Sequence, residues 1–188
     1  MRAKWLIAAV LFPGMIFSQN NKPCPCLNTI ISAGVAGGES AAKPLLQAET
    51  GFKFDRYFAG VGVGYDRYYL NSVPLFADGR INFGKSKLAF LYANGGYNFP
   101  YHNDPDPDIS GFRQKYQGGF YMDAGLGYRF RLNAYHRLLL SAGYSQKNVS
   151  NRYESTFCPF LPPCQSQVYN LHYTLGRIIA KLSWEFGR

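Results

Sequence analysis

From Phe120 to Leu132 the chain alternates strictly between two kinds of side chain. Phe120, Met122, Ala124, Leu126, Tyr128, Phe130 and Leu132 occupy one parity, and Tyr121, Asp123, Gly125, Gly127, Arg129 and Arg131 the other. Successive side chains of a β-strand point to opposite faces, so this segment predicts a strand with one apolar face and one charged or small face. The pattern outlasts the five or six residues usual for a strand in a soluble sheet. About 9–11 tilted residues cross the hydrocarbon of a bilayer, and aromatic residues mark its borders. Length and profile both fit such a crossing.

The same reading along the chain predicts eight strands. The first runs from Asn28 to Ala36, with Ile31, Ala33 and Val35 on one face. The second, Leu45 to Phe54, sets Leu46, Ala48, Thr50, Phe52 and Phe54 against Gln47, Glu49, Gly51 and Lys53. The third, Tyr57 to Tyr69, sets Ala59, Val61, Val63 and Tyr65 against Gly60, Gly62, Gly64 and Asp66. Glycines on an inner face leave room for long side chains from neighbouring strands. Val73 to Phe83 places Asp78 and Arg80 opposite Leu75, Ala77 and Ile81, and Leu88 to Phe99 places Tyr92, Asn94 and Asn98 opposite Leu91 and Ala93. The strand containing Phe120 extends back to about Arg113 and ends at Asn133. Arg137 to Tyr153 puts Leu138, Leu140, Ala142 and Tyr144 outward and Ser141, Ser145 and Lys147 inward. Gln167 to Phe186 closes the set, with Ile178, Ala180, Leu182, Trp184 and Phe186 alternating with Arg177, Lys181 and Glu185.

Connections after the second, fourth and sixth strands are short turns. The others are longer, apart from a brief reversal at Asn71-Ser72. Short turns on one rim and long loops on the other are the habit of outer-membrane barrels, and an even strand count returns both termini to the periplasmic rim. A soluble barrel keeps an apolar interior and a wet exterior. Here the apolar faces carry no mid-strand charge, whereas a Lys or Arg facing lipid near the midplane costs about 2–4 kcal/mol. The expected fold is therefore all-β: an eight-stranded antiparallel up-and-down transmembrane β-barrel. Its interior is expected to hold a polar network of Glu49, Lys53, Asp78, Arg80, Asp123, Arg129, Arg177, Lys181 and Glu185.

Composition refines this picture. The chain has 188 residues, 17% of them aromatic, with 20 glycines. Mean hydropathy is −0.20, and no internal run approaches the roughly 20 apolar residues of a membrane helix. Arg2 and Lys4 followed by the apolar Trp5–Phe17 read as a secretory signal, so residues 1–19 are set apart from the fold. Residues 20–27 form a polar leader and 28–188 the barrel. Export makes disulfides permissible. Four cysteines allow three pairings, of which Cys158–Cys164, closing the loop CPFLPPC, is favoured. Cys24 and Cys26 would make a strained small ring, and the topology puts the two pairs at opposite ends, against a zinc site. The formal net charge is +9, but the cations are scattered rather than clustered as nucleic-acid binding asks. Anionic lipid headgroups or lipopolysaccharide phosphates suit them better.

The mature chain resembles small eight-stranded outer-membrane proteins of the OmpA/OmpX type. The segment FKFDRYFAGVGVGYDRYYLNSVPLFADGRINFG, with its GVGVGYD and SVPLFAD motifs, resembles the outer-membrane β-barrel family of unassigned function common in Bacteroidetes. That resemblance implies a barrel in the outer membrane and carries over no catalytic residue. The Leu182, Trp184, Phe186 alternation resembles the C-terminal assembly signal that the barrel assembly machinery reads, although Arg188 departs from the commonest ending.

Other chemistry is thinly represented. His172-x-Thr174 sits near the outer rim where some barrel enzymes cut lipid, but a triad is recognised by geometry. Asp104, Asp106 and Asp108 alternate with prolines and lack the glycine and closing Glu of a calcium loop. No helix follows the GVGVG run, so it is not a phosphate cradle. The expected protein is a monomeric, noncatalytic outer-membrane barrel without cofactor, metal or nucleic-acid partner. A plugged polar interior leaves its loops to act at the surface. A lipid-modifying enzyme and a narrow ion-conducting pore are the alternatives.

Overall fold

A computed structural model describes residues 26–38, 42–101, 112–157 and 165–187. The strands are β1 (Cys26–Gly37), β2 (Lys43–Phe54), β3 (Tyr57–Asp66), β4 (Ser72–Phe83), β5 (Ala89–Pro100), β6 (Phe112–Gln117), β7 (Gly119–Arg131), β8 (His136–Phe157) and β9 (Gln165–Gly187). All pair antiparallel with their neighbours, and the β1–β9 pairing closes the sheet on itself. β6 and β7 are one wall strand interrupted at Gly118, so the cylinder has eight strands.

Closure leaves no free edge in the wall. It also gives every strand one face toward a lumen too narrow for anything but side chains. The period-two pattern decides which residues fill it. Asp123 is wholly buried, whereas Leu126, three residues on, is 58% exposed. Ile31, Leu46, Val61, Leu75, Leu91, Leu140 and Leu182 likewise lie exposed on the outside, and Glu49, Asp78, Arg80, Lys147 and Lys181 lie buried within. Two aromatic girdles border the outer band. Tyr65, Tyr97, Phe99, Tyr101 and Phe120 ring the end with longer connections; Phe54, Tyr57, Phe83, Tyr128, Phe130, Trp184 and Phe186 ring the end where β1 begins and β9 finishes.

Several boundaries differ from the sequence reading. β1 starts at Cys26, within the expected leader, because its ladder with β2 continues down to Cys26↔Lys53. β3 stops at Asp66 rather than Tyr69. Asp66 Oδ1 accepts the Tyr68 backbone N–H at 2.8 Å, and Tyr69 takes a positive φ of 64°. This Asx-type turn swings Tyr68 and Leu70 into the barrel mouth, where both are buried. The expected single strand from Arg113 to Asn133 is broken. Gly118, Gly119 and Phe120 oppose only two residues of β8, as the pairs Gln117↔Ser150 and Tyr121↔Lys147 fix. That extra residue makes a bulge, beyond which β6 is paired with β8. A Cβ at Gly118 would strike the Asn98 carbonyl, so only glycine fits the bend.

β8 and β9 are longer than expected. They pair with each other from His136↔Phe186 up to Phe157↔Gln165, while β1 accompanies β9 only as far as Gly37↔Ile178. With β6 they rise past that end of the wall as a three-stranded fin. The expected signal segment, Cys24, His102, the Asp104–Asp108 loop, Cys158 and Cys164 lie outside the described residues.

Candidate functional site

The lumen gathers the charged residues of six strands into three tiers. The lowest, at the end where β1 begins and β9 finishes, centres on Glu185 of β9. Its Oε2 accepts from Arg129 Nε at 2.9 Å, and its Oε1 from Arg137 Nη1 at 2.8 Å and Asn28 Nδ2 at 3.1 Å. Lys53 Nζ lies 3.8 Å from Oε1. Four strands thus converge on one carboxylate.

The middle tier holds two knots. Arg80 bonds Glu49 through Nη2 and Asp78 through Nε, the latter at 2.8 Å, so β2 and β4 are joined across β3. Gly60 and Gly62 of β3 make this possible. A Cβ at Gly62 would collide with the Phe76 ring and the Glu49 side chain. The Arg80 guanidinium also lies near the rings of Phe58 and Phe90, at 5.5 and 5.8 Å. The second knot joins Lys181 to Asp123 at 2.8 Å and to Gln47 Oε1 at 3.2 Å. Gln47 in turn donates to the Tyr121 hydroxyl at 2.9 Å. The Lys181 ammonium sits 4.1 Å from the Tyr92 ring centroid.

The upper tier is built on Asp66. Its carboxylate pairs with Arg177 and, at 3.2 Å, with Lys147, whose ammonium also donates to Ser72 Oγ and the Leu70 carbonyl. Arg177 lies 5.5 Å from the Tyr68 ring. One aspartate therefore shapes the turn through Oδ1 and binds two cations of β8 and β9 through Oδ2. The capping turn is latched to the wall opposite.

All nine residues expected in the interior network lie on the inner face and take part in these contacts. Sequence reasoning placed Asp66 and Lys147 on the inner parity without assigning them to the network, and did not assign Arg137. Asp66 and Lys147 meet across the lumen, whereas Arg137 meets Glu185 as its direct cross-strand partner, and no local spacing announces either pair. Each tier mixes signs, as burial requires, because an isolated charge in a dry interior is strongly unfavourable. The arrangement fills the bore.

Leu182, Trp184 and Phe186 lie on the outer face near the end where β1 begins and β9 finishes. Trp184 Nε1 donates to His136 Nδ1 at 3.3 Å. His172, with Thr174 two residues on, faces outward on the fin, and its Nδ1 lies 2.7 Å from Ser150 Oγ. Residues 150 and 172 are cross-strand partners, the placement in which polar side chains of paired strands commonly bond. Among the described residues no group of His, Cys, Asp and Glu could hold a metal ion.

No known family model matches the sequence, and no characterised relative does. Solved structures are similar in fold. The outer membrane protein OprG from Pseudomonas aeruginosa superposes with a TM-score of 0.57 at 11% identity, over 89% of this chain and 97% of that one. The N-terminal β-barrel domain of OprF from the same organism gives 0.49 at 13% identity, over 87% and 97%. The fold is that of small eight-stranded outer-membrane β-barrels.

Proposed function

We propose that this protein is a noncatalytic barrel of the Gram-negative outer membrane, exported by its N-terminal signal. Its wall is an inert anchor and its outward end meets the surroundings. The observation that carries this reading is the segregation of charge. Ionised groups fill the lumen in three bonded tiers, while the opposite faces form an uncharged belt between two aromatic girdles. Breaking one buried pair typically costs 3–5 kcal/mol, which favours a static plug over an ion path. The fin of β6, β8 and β9 is available for surface contacts, and the segment carrying Cys158 and Cys164, for which a disulfide is the expectation from sequence, is proposed to join it. Leu182, Trp184 and Phe186 serve in recognition by the assembly machinery.

Cell fractionation with surface proteolysis tests the reading. The protein should partition with the outer membrane and be cut in intact cells at the Cys158–Cys164 loop. Recovery in a soluble fraction would overturn it. In planar bilayers the purified barrel should be silent, whereas discrete conductance steps would favour the pore. An altered lipid A mass profile in its presence would favour the enzyme.

A further inference from the structure

The lumen opens, at the end where β1 begins and β9 finishes, into a polar pocket of about 240 Å³ lined by Lys53, Asp55, Lys87, Arg129, Arg131 and Arg137, with Asn133 and Ala134. We infer that this pocket is a binding site for a phosphate group.

Charge is the first ground. Five cations line the pocket, and the carboxylates they meet are two: Asp55, paired with Lys87, and Glu185, buried behind the pocket wall. The remaining excess is positive; Lys53, Arg129 and Arg137 hold their share in a recess, where charge is screened less than on an open surface, and Arg131 stands exposed at its rim. Donor geometry is the second. Arg129 meets Glu185 through Nε and Arg137 meets it through Nη1. Arg131 meets the Ser86 carbonyl through Nη2. A guanidinium has five N–H donors, so each keeps donors for another acceptor. The contacts already made fix where the forks point, and such forks match the paired oxygens of a phosphate. Lys53 adds an ammonium whose contact with Glu185 is long, at 3.8 Å. Size is the third. The pocket offers roughly eight waters' worth of space at about 30 Å³ each, enough for inorganic phosphate or the phosphate end of a larger molecule.

The phosphate could belong to a free solute or to a lipid headgroup at the rim. The test uses the full chain folded in octyl glucoside, a phosphate-free detergent, in phosphate-free buffer. The side-chain N–H resonances of Arg129, Arg131 and Arg137 are followed by NMR. One arm titrates inorganic phosphate against chloride at matched ionic strength. A second adds phosphatidylglycerol to the micelles. Saturable shifts with phosphate, and not with chloride, identify a free anion as occupant; shifts only with phosphatidylglycerol identify the headgroup. Arg131→Gln removes one guanidinium, its charge and its fork of donors together, without touching Glu185 and should weaken binding about tenfold, and Lys53→Gln should weaken it as well. Lys85→Gln, on the exposed turn outside the pocket, should leave it unchanged. Shifts that chloride reproduces, that neither phosphate source produces, or that survive undiminished in both pocket variants would overturn the assignment. This site stands on its own geometry, so its failure would leave the membrane reading intact.

Discussion

Replacing Leu126 with Arg places a cation on the outer face of β7. Leu126 is 58% exposed, opposite Leu91 of β5 and Ala142 of β8, with no charged neighbour in its register. Along the strand it stands four residues from Phe130 and six from Phe120, one in each girdle. At about 3.3 Å per residue and a tilt near 45°, that is roughly 9 Å inside one girdle and 14 Å inside the other. At this depth the arginine should destabilise the barrel by about 2–3 kcal/mol. Leu132→Arg is the internal comparison, since Leu132 is equally exposed but lies beyond Phe130, where the cost falls to about 0–1 kcal/mol. Reversible urea unfolding from lipid vesicles measures both. A difference of about 2 kcal/mol corresponds to a roughly thirtyfold change in the folding equilibrium. If water surrounded the wall, both substitutions would stay within about 0.5 kcal/mol of the parent. Equal and small effects at the two positions would mean that no hydrocarbon covers the wall.

Asp123→Asn should destabilise by about 3–5 kcal/mol, because it takes from the buried Lys181 ammonium the carboxylate it pairs with at 2.8 Å. Asp123→Leu combined with Lys181→Met should recover most of that loss, and the same urea titration measures both. Gly127→Ala should cost about 1–3 kcal/mol by pushing the Phe90 ring from the β7 backbone. Gly95→Ala, whose added methyl meets nothing within 4 Å on the outer face, should be close to neutral.

Parity made most of the wall legible. A strand built into a closed barrel has one environment on each side, so alternation from Leu46 to Phe54 or from Ile178 to Phe186 reports directly which residues face in. What parity could not report was anything that depends on partners far along the chain. Asp66 and Lys147 are 81 residues apart, yet they pair because closure brings β3 opposite β8 across the lumen. The glycines at 60, 62 and 127 read correctly as room for other side chains. That the occupants are Phe58, Phe76 and Phe90 follows only from register. Two departures had local signals. Gly118-Gly119 marks the bulge that ends the pairing of β7 with β5. Asp66, ahead of the reversal, is a residue type that caps turns, and it draws Tyr68 inward where alternation alone continues the strand. The very top of the fin had no such signal, since its last pairs, Thr156↔Ser166 and Phe157↔Gln165, lie beyond the strands that alternation marks.

Depth-resolved tryptophan quenching tests the segregation of charge most directly. In a Trp184→Phe background, Leu126→Trp puts an indole on the outer face and Tyr121→Trp puts one in the lumen. In vesicles of lipid brominated along the acyl chain, the outer indole should be strongly quenched and the inner one spared. Acrylamide in the water should leave the outer indole untouched. Quenching of Leu126→Trp by acrylamide, with bromine having no effect on it, would contradict the account.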